Sequence, residues 1–366
     1  MTARPLAEAS VIAERITTWF ASHARILPWR SAPTPYAVLL SELMAQQTRI
    51  DTVVPYFDRF VARWPTIEAL AAADEQEVLG EWAGLGYYSR ARNLLACARA
   101  VVARGGMPSE PSELVRLPGV GPYTAGAVAS IAFGVRAPLV DGNVERVLSR
   151  IDARAEDPRK EGRAALWARA GALVDALPEG GSPGALNQGL MELGATVCSP
   201  RAPKCGAGPV EDRCRARPGD PESLPVRPAR SPPRATSGVA VVIRSGDRVL
   251  LGRRPKGLLG GLWEPPWVEG ASLEALEGRC GRALERWVSH GEVVHVFTHR
   301  RLTLAVYGAE PGDSLAADGF YTELRWAPTD GAPPAELGGV ALSALARRVL
   351  AARPLAQVGL PLAAER

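Results

Sequence analysis

Apolar residues recur at helical spacing through the first half of the chain and alternate at strand spacing further on. Residues 6–22, with Leu6, Ile12, Ile16, Trp19 and Phe20 apolar, predict a helix that Leu27-Pro28-Trp29-Arg30 breaks. Thr34-Pro35 then supplies a cap and a first helical position. The next helix runs over 36–50, where Tyr36, Leu39, Leu40, Leu43 and Met44 share one arc. Glu42 and Gln46 lie at the edge of that arc, and Gln47 falls inside it, where its amide needs a partner. Trp64-Pro65-Thr66 opens a helix to about Leu79, and another passes through Cys97. Helices over 157–176 and 187–194 complete this half.

From Ser237 the period changes. Val239–Ile243, a Ser245-Gly246-Asp247 turn and Val249–Leu251 predict a β-hairpin. Residues 293–297 and 302–307 predict two further strands, and 339–351 a helix. Between the halves, Arg215 to Arg234 holds six prolines and five arginines without apolar periodicity, the composition of a stiff linker. The expected architecture is multi-domain, an all-α part followed by an α+β part, with boundaries at 1–217, 218–234 and 235–366.

Composition sharpens this. With 366 residues and 46% hydrophobic content the chain can bury a core in each part. The net charge is only +4, yet residues 198–234 alone carry eight Lys/Arg against four Asp/Glu. Basicity so localised suits a nucleic-acid footprint and equally a solvated loop. No apolar run reaches the length of a membrane span, and no signal pattern opens the chain, so a cytoplasmic protein is expected; it is also expected to be a monomer. Three of the five cysteines cluster near residue 200, which suits metal ligation in a reducing compartment better than a disulfide framework.

Leu117 to Asn143 concentrates the candidate chemistry. Pro118-Gly119-Val120-Gly121 punctuates two helical stretches, and its alternate glycines allow positive φ and close approach of a ligand to the backbone. Pro122 then starts a helix, so free amides face outward as an anion site suited to a phosphate. A plain turn between helices would look the same. Twenty residues on, Asp141-Gly142-Asn143 opens another helix; Asp141 is either an N-cap or an ionised carboxylate aimed at whatever the turn holds. A partly buried Glu42 is a candidate acid with a raised pKa, and an ion pair at a helix edge is the simpler alternative. Gly84-Leu85-Gly86-Tyr87-Tyr88 presents rings that could wedge between bases or anchor the core.

The hairpin turn followed by G-x-x-T-A-G-A and V-D-G-N resembles the helix-hairpin-helix DNA glycosylases, and is most similar to their MutY branch. Enzymes of that branch remove adenine opposite 8-oxoguanine. The resemblance implies an all-α helix-hairpin-helix glycosylase domain followed by a Nudix-like domain that recognises 8-oxoguanine. Residues Ser41 to Thr48 resemble the stretch carrying the catalytic Glu, so Glu42 becomes the acid, with Gln47 and Thr48 touching the 8-oxoguanine strand. By the same resemblance Asp141 stabilises the sugar, Asn143 orients it and Tyr123 lies close to the reacting centre. Gly119 and Gly121 hold phosphate, Tyr87 intercalates, Arg30 and Gln188 surround the base, and Phe297-Thr298-His299 matches an F-S-H that reads 8-oxoguanine.

The resemblance also implies a 4Fe–4S cluster on C-x6-C-x2-C-x5-C. Here Cys198, Cys205 and Cys214 remain, and Gly208 stands at the third ligand position. The expectation is a labile cluster with one iron lacking a thiolate, against a 3Fe–4S form, a zinc site or no metal. Arg201 and Lys204 in this loop are placed to meet phosphates. The implied partner is duplex DNA with adenine opposite 8-oxoguanine or guanine, in a bacterial nucleoid. An endonuclease III-like lyase needs a Schiff-base lysine where Tyr123 stands, and Lys160, Lys204 and Lys256 all lie outside that stretch. A silent DNA-binding module would not require both Glu42 and Asp141.

Overall fold

A computed structural model describes residues 3–227 and 232–354, except 256, 258, 271, 281–283, 298, 312–318, 330–336 and 338–339. The chain divides into two compact units, one of residues 1–73 with 93–230 and the other of 74–92 with 231–366. No helix among the described residues is long and apolar enough to cross a membrane.

The first unit is helical throughout its described residues. Its opening helix, Ala3–His23, turns Ile12 and Ile16 into a core shared with Leu148 of Gly142–Ile151, Leu173 of Gly162–Asp175 and Leu190 of Pro183–Thr196. Thr34 caps the helix Pro35–Ala45 by accepting from the Ala37 N–H at 3.1 Å. That helix stops at Ala45, five residues before the expected end, because Gln47 takes a left-handed φ of 57°. Gln47 is therefore exposed on a turn instead of buried in an apolar arc, and a separate helix, Ile50–Arg63, follows it. The helix expected from Thr66 to Leu79 is two, Ile67–Ala71 in this unit and Glu75–Glu81 in the second, since Asp74 caps the latter through the Gln76 N–H. The one expected from Asp157 begins instead at Gly162. Residues 215–224 are not free chain: Arg215 and Ala216 donate to the carbonyls of Ile151 and Arg150, and the Leu224 carbonyl accepts from Arg150.

The second unit is built on β1 (Arg234–Ser245), whose residues 238–243 are all buried. A continuous apolar run of this kind belongs to a strand covered on both faces. Ala240 and Val242 pack with Leu345, Val349 and Leu350 of the helix Ala344–Ala351, whereas Val239, Val241 and Ile243 pack with Leu276 and Cys280 of Leu273–Cys280. β2 (Arg248–Arg253) makes the expected hairpin, Ser245 opposite Arg248, around Gly246 at a φ of 56°. Two short strands follow, β3 (Trp263–Glu264) pairing with β2 and β4 (Trp267–Glu269) with β1. β5 (Leu284–Val296) and β6 (Arg300–Pro311) are antiparallel, β6 lies parallel to β1 and β7 (Glu323–Pro328) returns to β2. The final helix starts at Ala344 under a Ser343 cap; residue 339, its expected start, lies outside the described residues.

Helix Pro183–Thr196 crosses helix Gly142–Ile151 at Gly194, where an added Cβ would stand 2.6 Å from the Asn143 Cβ. No rotamer relieves a clash made by a Cβ. Gly194→Val is expected to lower stability by about 1–3 kcal/mol, read from the midpoint of urea unfolding; an unchanged midpoint would contradict this crossing.

Candidate active site

Pro35–Ala45, the helix opened by Asp141 and the helix Pro183–Thr196 converge on a cavity of about 610 Å³ within the first unit. Glu42 enters from the first of these and is 7% exposed. Its Oε2 accepts from the Tyr123 hydroxyl. Burial lifts the Glu42 carboxyl from 4.5 to about 7, with the Asp141 charge adding to the rise and the Tyr123 hydrogen bond and Arg30 opposing it. A carboxyl so placed keeps a substantial protonated fraction in neutral solution and is able to give its proton to a base in the cavity.

Asp141 caps Gly142–Ile151: Oδ1 accepts from the backbone N–H groups of Asn143 at 2.9 Å and Val144 at 2.7 Å, and Oδ2 from Asn143 Nδ2 at 2.9 Å. The helix start was expected to hold it ionised. Burial raises its pKa nonetheless, against the lowering effect of those hydrogen bonds and of Arg146. Asn143 is itself fixed, because its Oδ1 accepts from Arg146 at 2.8 Å, and Arg146 also donates to the carbonyls of Gly194 and Cys198.

The opposite wall is a polar network. Arg30 donates through Nε to Gln188 Oε1 at 3.1 Å and through its other arm to Glu192 at 2.9 Å. Glu192 is 1% exposed and also receives Arg25 at 2.6 and 3.1 Å. Burial alone would raise the Glu192 carboxyl, but hydrogen bonds and charge from the two arginines hold it below its ordinary value. Arg25, Arg146 and Glu192 went unread in the sequence. Glu192 follows Gln188 by four positions and Arg146 follows Asn143 by three, the spacings of one helix face.

Gln47 and Thr48 line the cavity. The hairpin turn lies beside it: Gly119 has a φ of 73°, and a Cβ there would meet the Asn93 side chain at 2.4 Å. Gly121, expected to share this conformation, is extended at a φ of −91° and caps Pro122–Ala127, with nothing near where a Cβ would be. Gly119 and Gly121 both border a second cavity, adjoining the first along Tyr123.

Tyr87 belongs to the second unit, where it is 44% exposed at a φ of 46° with the Arg90 guanidinium 5.4 Å from its ring. Tyr88 is the core anchor, at 6% exposure. In the turn from β5 to β6, Phe297 donates its N–H to the Arg300 carbonyl at 2.7 Å and His299 is exposed, while Thr298 lies outside the described residues.

Cys198, Cys205 and Cys214 share the segment after Pro183–Thr196, where Arg201 and Lys204 are exposed. Three thiols cannot occupy the four corners of a 4Fe–4S cluster. Cys214 Sγ lies 3.4 Å from the Arg150 carbonyl oxygen. Among the described residues no group of three or more His, Cys, Asp or Glu is set to hold a metal ion. The residues present do not fit the four-thiolate cluster.

Helices, hairpin turn and buried acid together have the form of a base-excision enzyme. A family model, HhH-GPD superfamily base excision DNA repair protein, matches residues 40–170, and a NUDIX domain model matches residues 238–352. A solved structure of a thermostable thymine-DNA glycosylase superposes with a TM-score of 0.52 at 30% identity, covering 58% of this chain and 97% of that one. The human adenine DNA glycosylase is 39% identical over 374 residues, 83% of this chain and 68% of the human protein. That of Mus musculus is 37% identical over 396 residues, 90% of this chain and 74% of its own. The chain belongs to the adenine DNA glycosylase family, whose members are enzymes hydrolysing the N-glycosidic bond. With relatives from human and mouse, the bacterial source expected above is not borne out.

Glu42→Gln tests the buried acid. A carboxyl raised from 4.5 to about 7 gives stability that is complete below 4.5 and lost as pH climbs through about 7. The amide has no proton to lose. Between pH 5 and pH 8 the variant should therefore gain about 2–3 kcal/mol on the wild type, measured by denaturant unfolding at both values; parallel curves would mean Glu42 titrates normally.

Proposed function

We propose that this enzyme removes adenine opposite 8-oxoguanine or guanine in duplex DNA, as a monomer and without cleaving the strand. The observation that carries the reading is the buried Glu42 carboxyl, near neutral pKa, sharing a cavity with Asp141, Tyr123 and Gln188. A base within a duplex must leave the stack to be cut, and a cavity of about 610 Å³ has room for a purine. Cleavage needs an acid on the leaving base and an anion beside the oxocarbenium-like sugar, as in glycoside hydrolysis.

In this reading Glu42 protonates the adenine ring, and Asp141, once ionised, stabilises the sugar. Tyr123 orients the Glu42 carboxyl by donating to its Oε2, Asn143 orients Asp141, and Arg30 fixes the amide of Gln188 toward the base. Gln47 and Thr48 touch the opposite strand, and Gly119 and Gly121 receive phosphate on the outward amides of the turn. Tyr87 wedges between bases, and Phe297, Thr298 and His299 read 8-oxoguanine. Residues 1–217 form the excision domain, 218–234 the linker and 235–366 the recognition domain. Monofunctional chemistry is supported by Tyr123, which stands where a lyase needs lysine, and by a cavity lining without lysine among the described residues.

The test is single-turnover excision on duplexes with adenine opposite 8-oxoguanine, guanine and thymine. Adenine should be released from the first two only, with strand breaks appearing only after alkali. The rate should fall as pH rises past about 7, where Glu42 loses its proton. Glu42→Gln should slow release by roughly 100-fold or more. Equal release opposite thymine would remove the mispair specificity, and strand cleavage trapped by borohydride would remove the monofunctional mode.

A further inference from the structure

The cysteine segment lacks the donors for its implied cluster, yet residues 198–224 are folded. A buried arginine ties it to the helical core. Arg150, on helix Gly142–Ile151, is 1% exposed. Its guanidinium donates to the carbonyls of Ser199 at 2.7 Å, Pro200 at 3.1 Å and Leu224 at 3.0 Å, and to Cys198 Sγ at 3.4 Å. Its own carbonyl accepts from Ala216 N at 3.1 Å and from the Cys214 thiol. One residue thus ties the start, the middle and the end of the segment to the helix. The planar fork, with five donors, is the side chain suited to gathering several carbonyls at once.

The segment carries its own further ties. Val210 is buried in the helical core at 5% exposure, the Ala202 N–H donates to Glu222 at 2.8 Å, and Arg15 pairs with Asp212 at 2.6 Å. Gly208 has an extended backbone, φ −93° and ψ 149°, that needs no glycine. A Cβ there would meet the Cys205 carbonyl at 3.3 Å and Val197 at 3.5 Å, contacts a small shift relieves. Backbone geometry therefore does not account for the missing ligand.

We propose that Arg150 holds this segment folded independently of any iron–sulfur cluster, so that the chain reaches its native state without iron. The full-length wild type and Gly208→Cys would be reconstituted side by side with ferrous iron and sulfide under anaerobic conditions. Iron and sulfide content, absorption near 400 nm, thermal midpoint and limited proteolysis are then read for each. The expected result is a wild type that stays essentially iron-free with its midpoint and protease resistance unchanged, while Gly208→Cys takes up about four iron per chain. A wild type that binds as much iron as the variant, or that loses its midpoint when a chelator strips it, overturns the proposal. Arg150→Met should lower the midpoint by about 5 °C or more and open residues 198–227 to cleavage in iron-free protein. If that variant is insoluble, Arg150→Lys, which keeps the charge and loses the fork, gives the same readout. Unchanged cleavage in a folded Arg150 variant also overturns the proposal.

Discussion

A carboxyl group withdrawn from water must either give up its charge or gain a cation, and the first unit contains both outcomes across one cavity. Glu42 is lifted to about 7 by burial, with the Asp141 charge adding to the rise and only the Tyr123 hydroxyl and Arg30 set against it. Glu192, also buried, is held low by two arginines. What Glu192 has and Glu42 lacks is two arginines on its carboxylate. The cavity therefore offers a proton on one wall and fixed negative charge, tied to Arg25 and Arg30, on the other. Environments that push like groups apart in pKa are the usual means by which one site separates acid from anion.

That arrangement depends on where helices begin and end. Glu42 is aimed by a helix started at Thr34-Pro35 and stopped by the left-handed Gln47, and Asp141 is aimed because it caps the next element. The start signals were legible in the sequence, since Thr34, Pro35, Pro122 and Asp141 act through local chemistry. The stop at Gln47 was not, because a glutamine with positive φ carries no local signature. The false single helix from Thr66 to Leu79 has a similar origin: the apolar period continues while the Asp74 cap interrupts it. Among site residues, Glu42, Asp141, Tyr123 and Gln188 do meet in one cavity. Glu192 and Arg146 escaped notice because their importance comes from partners distant in sequence.

The second unit was legible where one strand dominates it. Six consecutive buried residues in β1 leave no polar face, so layers on both sides follow. The short β3 and β4 were not, being two and three residues long, and they exist because β2 and β1 offer them edges.

The crossing at Gly194 has a consequence for how this chain can vary. A helix that touches its neighbour through a missing side chain is locked in register as well as in distance. Gln188 and Glu192 face the cavity only in that register. One residue inserted or deleted between Gln188 and Gly194 would turn the Gln188 amide about 100° away from the cavity. The helix is buried along nearly its whole length, so it leaves little room for a change in its length between those positions.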